Sequence, residues 1–171
     1  MGRLKNRVLP KLFTRFPGIF KLEKYAEKAV PLEIEGTPWT DFTGKLHEST
    51  VAIVTTAGVH LKGQKPFDMQ DPDGDPSYRE LPSDTPREDY TITHDYYDHK
   101  DADADLNIVY PIDRLEEFVA EGLIGGLAPK NYGFMGHIDG PHIKTLIEKT
   151  APEVAAKLKD QGVDVVILTP G

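Results

Sequence analysis

Two short apolar runs rich in β-branched residues constrain the fold more strongly than any other feature of the sequence. They are residues 51–56 (VAIVTT) and residues 163–168 (VDVVIL). A run that stays apolar over successive positions is typical of a strand buried on both faces, as in a parallel sheet. Residues 90–93 and 130–135 are predicted as two further strands of the same sheet.

Amphipathic helical patterns lie between these runs. In the first, Asp113 is placed to cap the helix and Gly122 to end it. A later helix is predicted to begin at Thr150, whose hydroxyl has the spacing of a capping box with Glu153. Strands that alternate with helices indicate a single α/β domain, with a mainly parallel sheet flanked by helices in a Rossmann-like, three-layer arrangement.

Polar residues follow three of the predicted strands. In open parallel sheets, ligands bind outside the carboxyl ends of the strands. Those ends lead here into residues 57–60, into His94-Asp95 and into Thr169-Pro170-Gly171. Residues 62–89 hold many Pro, Gly and acidic residues, and an irregular segment of this length is usually functional or disordered.

The charge is divided unevenly along the chain, whose net charge is -8. Residues 1–30 carry eight Lys or Arg and two Glu, whereas residues 68–105 carry thirteen acids and three bases. The acidic body argues against nucleic acid as a partner. We divide the chain into a basic N-terminal helical segment and connector, residues 1–49, and an α/β domain, residues 50–171.

The sequence contains no Cys. This excludes a disulfide framework, a thiolate metal site and a cysteine nucleophile within these residues. His94 and His99 have four residues between them rather than the three of a helical pair, so no metal site is predicted. No apolar run approaches the ~20 residues of a membrane span, and no secretory signal is recognisable, so the cytoplasm is the expected location.

Six segments occur in a fixed order along the second part of the chain. They are 51–63 (VAIVTTAGVHLKG), 74–82 (GDPSYRELP), 93–99 (THDYYDH), 107–115 (NIVYPIDRL), 134–136 (FMG) and 165–171 (VVILTPG). Together they resemble the B-subunit selenoprotein family of the glycine, sarcosine, betaine and D-proline reductases. In that family a strand ending in Gly is followed directly by selenocysteine, or by Cys in some members. The resemblance therefore implies such a nucleophile beyond Gly171, with residues 169–171 as the loop next to it.

The resemblance also implies a reaction and partners. The reaction is reductive cleavage of a C–N bond α to a carboxylate, in a small amino acid or amine. No cofactor is expected on this chain, and a pyruvoyl group is implied on a partner subunit. Other reductase subunits, including a selenoprotein A-type carrier, and an oligomeric assembly are implied as partners. The chain is expected to be an oxidoreductase when full length and inactive alone as these 171 residues.

Three residues are candidates for binding the substrate carboxylate. The guanidinium of Arg79 can hold a carboxylate through two hydrogen bonds, and Tyr78 precedes it in the same Ser-Tyr-Arg motif. Lys62 is a second candidate for binding an anion. The alternative for Arg79 is a surface residue that offsets the acids around it.

Three further residues are candidates for catalysis. His60 and His94 each follow a predicted strand end, so either is a candidate to protonate a leaving amine or to pair with a selenolate. Asp95 is predicted to orient groups near His94. The alternatives are structural histidines and, for the chain, a non-catalytic subunit that binds a small carboxylate or serves assembly.

Overall fold

The computed structural model describes residues 40–171, and strand β1 (Thr50–Thr55) lies at the centre of its sheet. Strand β7 (Val165–Thr169) runs parallel to β1 along one edge, in register from Val51↔Val165 to Thr55↔Thr169. Strands β5 (Gly126–Leu127) and β6 (Lys130–Gly133) run parallel to the other edge. β1 is thus enclosed on both sides, which agrees with its apolar sequence.

Three antiparallel strands complete the set. Strand β3 (Arg79–Pro82) pairs with β6 and forms the outer edge of the sheet. Strands β2 (Val59–Leu61) and β4 (Tyr90–Ile92) form a separate two-stranded ribbon. The placement of residues 90–93 in the parallel sheet is therefore wrong. β4 pairs antiparallel with β2 instead, in register from Val59↔Ile92 to Leu61↔Tyr90.

Helix α1 (Lys100–Ala104) and helix α2 (Ile112–Ala120) precede β5. Helix α3 (Pro141–Thr145), a π-helical turn (Leu146–Thr150) and helix α4 (Ala151–Asp160) follow one another without interruption between β6 and β7. Short 3-10 turns lie at Leu46–Glu48, Arg87–Asp89 and Leu106–Ile108.

Both predicted helix caps are wrong. Thr150 has helical backbone angles and makes no capping hydrogen bond, because the chain is already helical before it. The side chain of Asp113 faces Arg87 and Asn107, with 2.6 Å to the Arg87 Nε, and does not cap α2. The predicted end of α2 is confirmed, since the helix ends at Ala120 and Gly122 has a φ of 71°.

Helices cover both faces of the sheet. On one face, alternate β1 residues such as Val51 and Ile53 pack with Ile112 and Leu115 of α2. On the other, Ala52 packs in the cluster that contains residues of α4, among them Val154 and Leu158. The α/β class and the mainly parallel sheet are confirmed. The narrower Rossmann-like description stays a prediction, because one edge strand is antiparallel.

The acidic segment 62–89 is held against the body by specific contacts. It contributes β3 to the main sheet, and Phe67 and Met69 bury their side chains against Met135. The prediction for residues 1–49 lies mostly outside the described residues. No helix within residues 40–171 is long and apolar enough to cross a membrane.

Candidate functional site

The carboxyl ends of β1 and β7 meet at one edge of the sheet. The Thr56 amide donates to the Thr169 carbonyl at 2.9 Å, and the Thr169 hydroxyl donates to the Val109 carbonyl at 2.6 Å. These bonds fix the chain just before Pro170 and Gly171. We call the residues gathered here the strand-end cluster, and define it as Ala57, His94, Tyr97, Gly136 and Gly171.

Two glycines of the strand-end cluster fit tightly against its backbone. A Cβ placed on Gly171 would lie only 2.3 Å from the Cα of Ala57. A Cβ placed on Gly136 would lie 3.1 Å from the Thr56 carbonyl oxygen, 3.2 Å from His94 Nε2 and 3.7 Å from the Gly171 carbonyl oxygen. The structure therefore brings His94 and Gly171 together, with Gly136 between them.

His94 is buried, with 4% of its surface exposed, and both ring nitrogens face backbone N–H groups. The Tyr96 amide lies 3.1 Å from Nδ1, and the Gly136 amide lies 3.0 Å from Nε2. A neutral imidazole accepts at one nitrogen only, and an imidazolium accepts at neither. Only one of the two contacts is thus a hydrogen bond in either tautomer, and protonation of the ring would remove both.

The electrostatic environment also keeps the His94 ring neutral. Burial lowers the pKa of His94 to about 4, repulsion from His137 and His99 acts in the same direction, and Asp95 opposes them. The predicted roles of His94, as a general acid or as the cationic partner of a selenolate, stay predictions. Both need the protonated ring, which predominates only below a pH of about 4.

Tyr97 links the parts of the strand-end cluster. Its hydroxyl donates to the Ala57 carbonyl at 3.0 Å, and its ring lies edge-on to that of His94, with 4.8 Å between the centroids. A cavity of about 260 Å³ opens beside these two rings. Its lining consists of mostly polar residues from one segment: His94, Asp95, Tyr97, Asp98, His99, Lys100 and Asp103. Asp95 is thus close to His94, as predicted, and its orienting role stays a prediction.

Arg79 lies elsewhere, where its guanidinium serves the acidic segment. It donates to the carbonyls of Lys65 at 2.7 Å and of Pro66 at 3.2 Å, and to the Ser77 hydroxyl at 2.8 Å. It also stacks on the Phe67 ring, at 4.3 Å from the ring centroid. Its carboxylate-binding role stays a prediction, and a substrate would have to compete with these partners.

The Phe67 ring contacts both the His60 ring and the Arg79 guanidinium. We call His60, Phe67 and Arg79 the loop anchor. The His60 Nδ1 lies 2.8 Å from the Leu61 carbonyl, and the His60 Nε2 lies 2.8 Å from the Thr93 hydroxyl. Burial lowers the pKa of His60, with the Leu61 carbonyl opposing and the Arg79 charge adding to the effect. Both ring nitrogens have partners within the chain, and its catalytic role stays a prediction.

The remaining candidates lie apart from the strand-end cluster. The Lys62 side chain is exposed, and its backbone amide donates to the Asp89 carbonyl at 2.8 Å. Tyr78 packs in the core cluster that contains α4 residues, and its hydroxyl donates to Glu153 at 3.4 Å. Their roles in binding substrate stay predictions.

The sequence reasoning assigned no role to Tyr97 or Gly136. A signal for Gly136 existed, because it directly follows the predicted strand 130–135 and so lies at the same sheet edge. Tyr97 had no comparable signal, since its contact with Ala57 joins residues forty positions apart. Within residues 40–171, no three or more His, Asp or Glu side chains are grouped to hold a metal ion.

Fold and cluster together define an α/β protein whose candidate site lies where two adjacent parallel strands end. The family described as glycine/sarcosine/betaine reductase selenoprotein B matches residues 23–171. The chain belongs to this family, and the resemblance inferred from the sequence is confirmed.

Curated relatives agree with this assignment. The chain is 44% identical, over 133 residues, to the D-proline reductase subunit gamma of Acetoanaerobium sticklandii, covering 78% of this chain and 53% of that protein. It is 34% identical over 131 residues to the glycine reductase complex component B subunit gamma of Carboxydothermus hydrogenoformans, covering 72% of this chain and 28% of the relative.

A third relative is the betaine reductase complex component B subunit beta of Peptoclostridium acidaminophilum. It is 35% identical over 80 residues, which cover 47% of this chain and 18% of the relative. The chain therefore spans about half, or less, of the curated relatives it matches. No solved structure matches it.

Proposed function

We propose that this chain forms part of a reductase-complex subunit that reductively cleaves a C–N bond α to a carboxylate. The substrate is a small amino acid or amine, and the nucleophile is a selenocysteine or Cys that follows Gly171. One observation carries the proposal: Gly171, at the end of β7, packs on Ala57 and lies beside Gly136 and His94. The names of the relatives support it, since all three are reductase subunits.

The strand-end cluster fits an anionic group held by hydrogen bonds rather than by a cation. When His94 Nδ1 accepts from the Tyr96 amide, Nε2 carries the proton and faces the Gly136 amide at 3.0 Å. Two N–H groups that face each other are unfavourable without an acceptor beside them. A selenolate or thiolate attached to the residue after Gly171 would supply that acceptor, once the Gly136 amide and His94 Nε2 turned from each other toward it.

The absent groups supply chemistry that this chain lacks. A selenolate or thiolate supplies the nucleophile that displaces the amine from the α-carbon, a pyruvoyl group on a partner subunit activates the substrate nitrogen, and a thiol reductant supplies the two electrons. The chain's own residues orient the site: the Tyr97 hydroxyl bonds the Ala57 carbonyl, and buried His94 contacts the Gly136 amide. The partners are other reductase subunits, and we place the complex in the cytoplasm.

The first test is the gene itself. We expect the reading frame to continue past codon 171, with UGA or a Cys codon directly after Gly171. A different sense codon, or a stop without a continuing frame, would overturn the proposal. It would also favour the non-catalytic carboxylate-binding or assembly subunit.

The second test is activity of the complex purified from its native host. D-Proline is the first substrate to assay, with a dithiol as reductant, because one relative is named for it; glycine, sarcosine and betaine follow. We expect reductive cleavage of at least one of them, and its complete loss when the residue after Gly171 is replaced by Ser. Lack of turnover of all four by an intact complex would contradict the proposal.

A further inference from the structure

Strand β7 presents an apolar face that nothing in the described part of the chain covers. Leu168 is 75% exposed and Val166 is 38% exposed. Their neighbours in sequence, Val165 and Ile167, are partly buried and pack against the cluster that contains α2. One face of β7 is therefore covered and the other is open.

The open face is the one that carries α4. In the parallel register Val166 pairs with Ala52 and Leu168 pairs with Val54, and paired residues of parallel strands point to the same face. Ala52 and Val54 belong to the cluster packed against α4. The helix therefore covers this face over part of the sheet and leaves it open over β7.

The outer edge of β7 is open as well. Within residues 40–171, β7 pairs with β1 alone. Apolar residues at an exposed sheet edge favour pairing or covering by another element. A permanently exposed position usually carries a polar residue, but position 168 carries Leu.

The connections already present indicate which face the next helix would use. The connection from β1 leads through α2, on one face of the sheet, to β5 and β6 at one edge of β1. The connection from β6 leads through α4, on the opposite face, to β7 at the other edge of β1. Right-handed crossovers require this alternation. A further parallel strand beyond β7 continues in the second direction, so its crossover helix falls on the α4 face.

We infer that Val166 and Leu168 are the docking surface for an amphipathic helix formed by the segment that follows Gly171. This inference rests on the proposed function, because it requires the chain to continue. The inference adds to the proposed function the face of β7, the two contact residues and the kind of occupant.

A single introduced thiol tests the inference, because the chain contains no Cys. Leu168→Cys is made in the 171-residue chain and in the continued chain, with Ser at the position after Gly171 so that no native nucleophile reacts. The measured quantity is the rate of modification by a maleimide. Glu121→Cys, exposed at the end of α2, is the matched control, and Ile167→Cys reports on the opposite face of β7.

We expect Cys at position 168 to react at least tenfold more slowly in the continued chain, with unchanged rates at positions 121 and 167. Equal rates at position 168 in both chains would overturn the inference and leave the proposed function standing. Protection at position 167 alone would place the helix on the wrong face and overturn it too.

Two other outcomes also count against the inference. Protection in the 171-residue chain that grows with protein concentration would assign the surface to a second copy. A gene whose frame stops at codon 171 would overturn the proposed function and this inference together.

Discussion

The strand-end cluster and the loop anchor both hold buried polar side chains, but by different means. In the strand-end cluster, the Tyr96 and Gly136 amides converge on His94, and a bridge between Ala57 and Met135 holds the chain next to Gly136. In the loop anchor, Arg79 donates its N–H groups to backbone carbonyls of an irregular segment. Strand backbones pair with one another, so a side chain at a strand end meets only the few amides that this pairing leaves over. A loop lacks that pairing, and side chains must satisfy its carbonyls.

The largest expected effect comes from crowding the turn at Gly58, next to Ala57 and His94 of the strand-end cluster. Gly58 has a φ of 75°, and a Cβ there would lie 2.5 Å from the Thr93 carbonyl oxygen. Gly58→Ala combines the cost of a left-handed backbone, about 1–2 kcal/mol, with overpacking of about 1–3 kcal/mol. We expect the free energy of unfolding in urea to fall by roughly 2–5 kcal/mol.

Gly122→Ala is the matched control for this change. Gly122 has a similar φ of 71°, and nothing lies within 4 Å of a Cβ placed there. It should lose only the backbone component, about 1–2 kcal/mol. Equal losses at the two glycines would show that the strand-end cluster is not tightly packed.

The next largest effect is expected in the loop anchor. Arg79→Met keeps an apolar stem over Phe67 but leaves the Lys65 and Pro66 carbonyls without their donor. A hydrogen bond to a charged group contributes about 1.5–3 kcal/mol. Because Lys65 and Pro66 are exposed and water can replace part of the lost bonding, we expect a total loss of roughly 2–3 kcal/mol in urea unfolding. Arg79→Lys should recover only part of it, because Lys lacks the forked geometry. Unchanged stability together with a raised KM in the complex would instead favour the carboxylate-binding role.

The sequence predicted the parallel sheet because its strands have a distinctive composition. Residues 51–56 and 163–168 overlap β1 and β7 closely. β1 is apolar throughout because both of its faces are packed, and β7 has the same composition although one of its faces is open. Strand β3 was missed because its sequence, RELP, is charged and ends in Pro. An edge strand tolerates both, so the pattern that marks a central strand is absent from it.

The site was predictable to the extent that strand ends defined it. His94 and Gly171 were placed at the same sheet edge, and they do lie together with Gly136. His94 lies at that edge although it follows β4, which is outside the main sheet. The reason is that the β2–β4 ribbon begins at Gly58, directly after the end of β1, where the Thr93 amide donates to the Gly58 carbonyl at 2.9 Å. The partners of Arg79 were not predictable, because no periodic pattern specifies which carbonyls an irregular loop leaves unpaired.

A smaller effect is the pH dependence of stability, which is larger for the strand-end cluster because the pKa of His94 is strongly lowered. The pKa of His94 is about 4 in the folded protein and about 6.5 in an unfolded chain. Between these values the unfolded state binds more protons, so stability falls as the pH falls through this window and is unaffected above it. From pH 6.5 to 5 we expect a loss of roughly 1.5 kcal/mol in urea unfolding, because the slope reaches its full value of about 1.4 kcal/mol per pH unit only below pH 6.5. His94→Asn should remove most of this slope and leave the part that comes from His60, whose pKa burial also lowers. An unchanged slope would contradict a neutral, buried His94.

The smallest effect concerns the hydroxyl that joins two parts of the strand-end cluster. Tyr97→Phe removes the bond to the Ala57 carbonyl but retains the ring packed on His94, so a loss of about 1 kcal/mol is expected in urea unfolding. Tyr96→Phe, which keeps the ring stacked on His137, should cost only a few tenths of a kcal/mol. Because Tyr97 and His94 are in contact, the double variant with His94→Asn should depart from additivity by about 0.5 kcal/mol or more. Strict additivity would mean that Ala57 and His94 are held independently, and that the strand-end cluster does not respond as one unit.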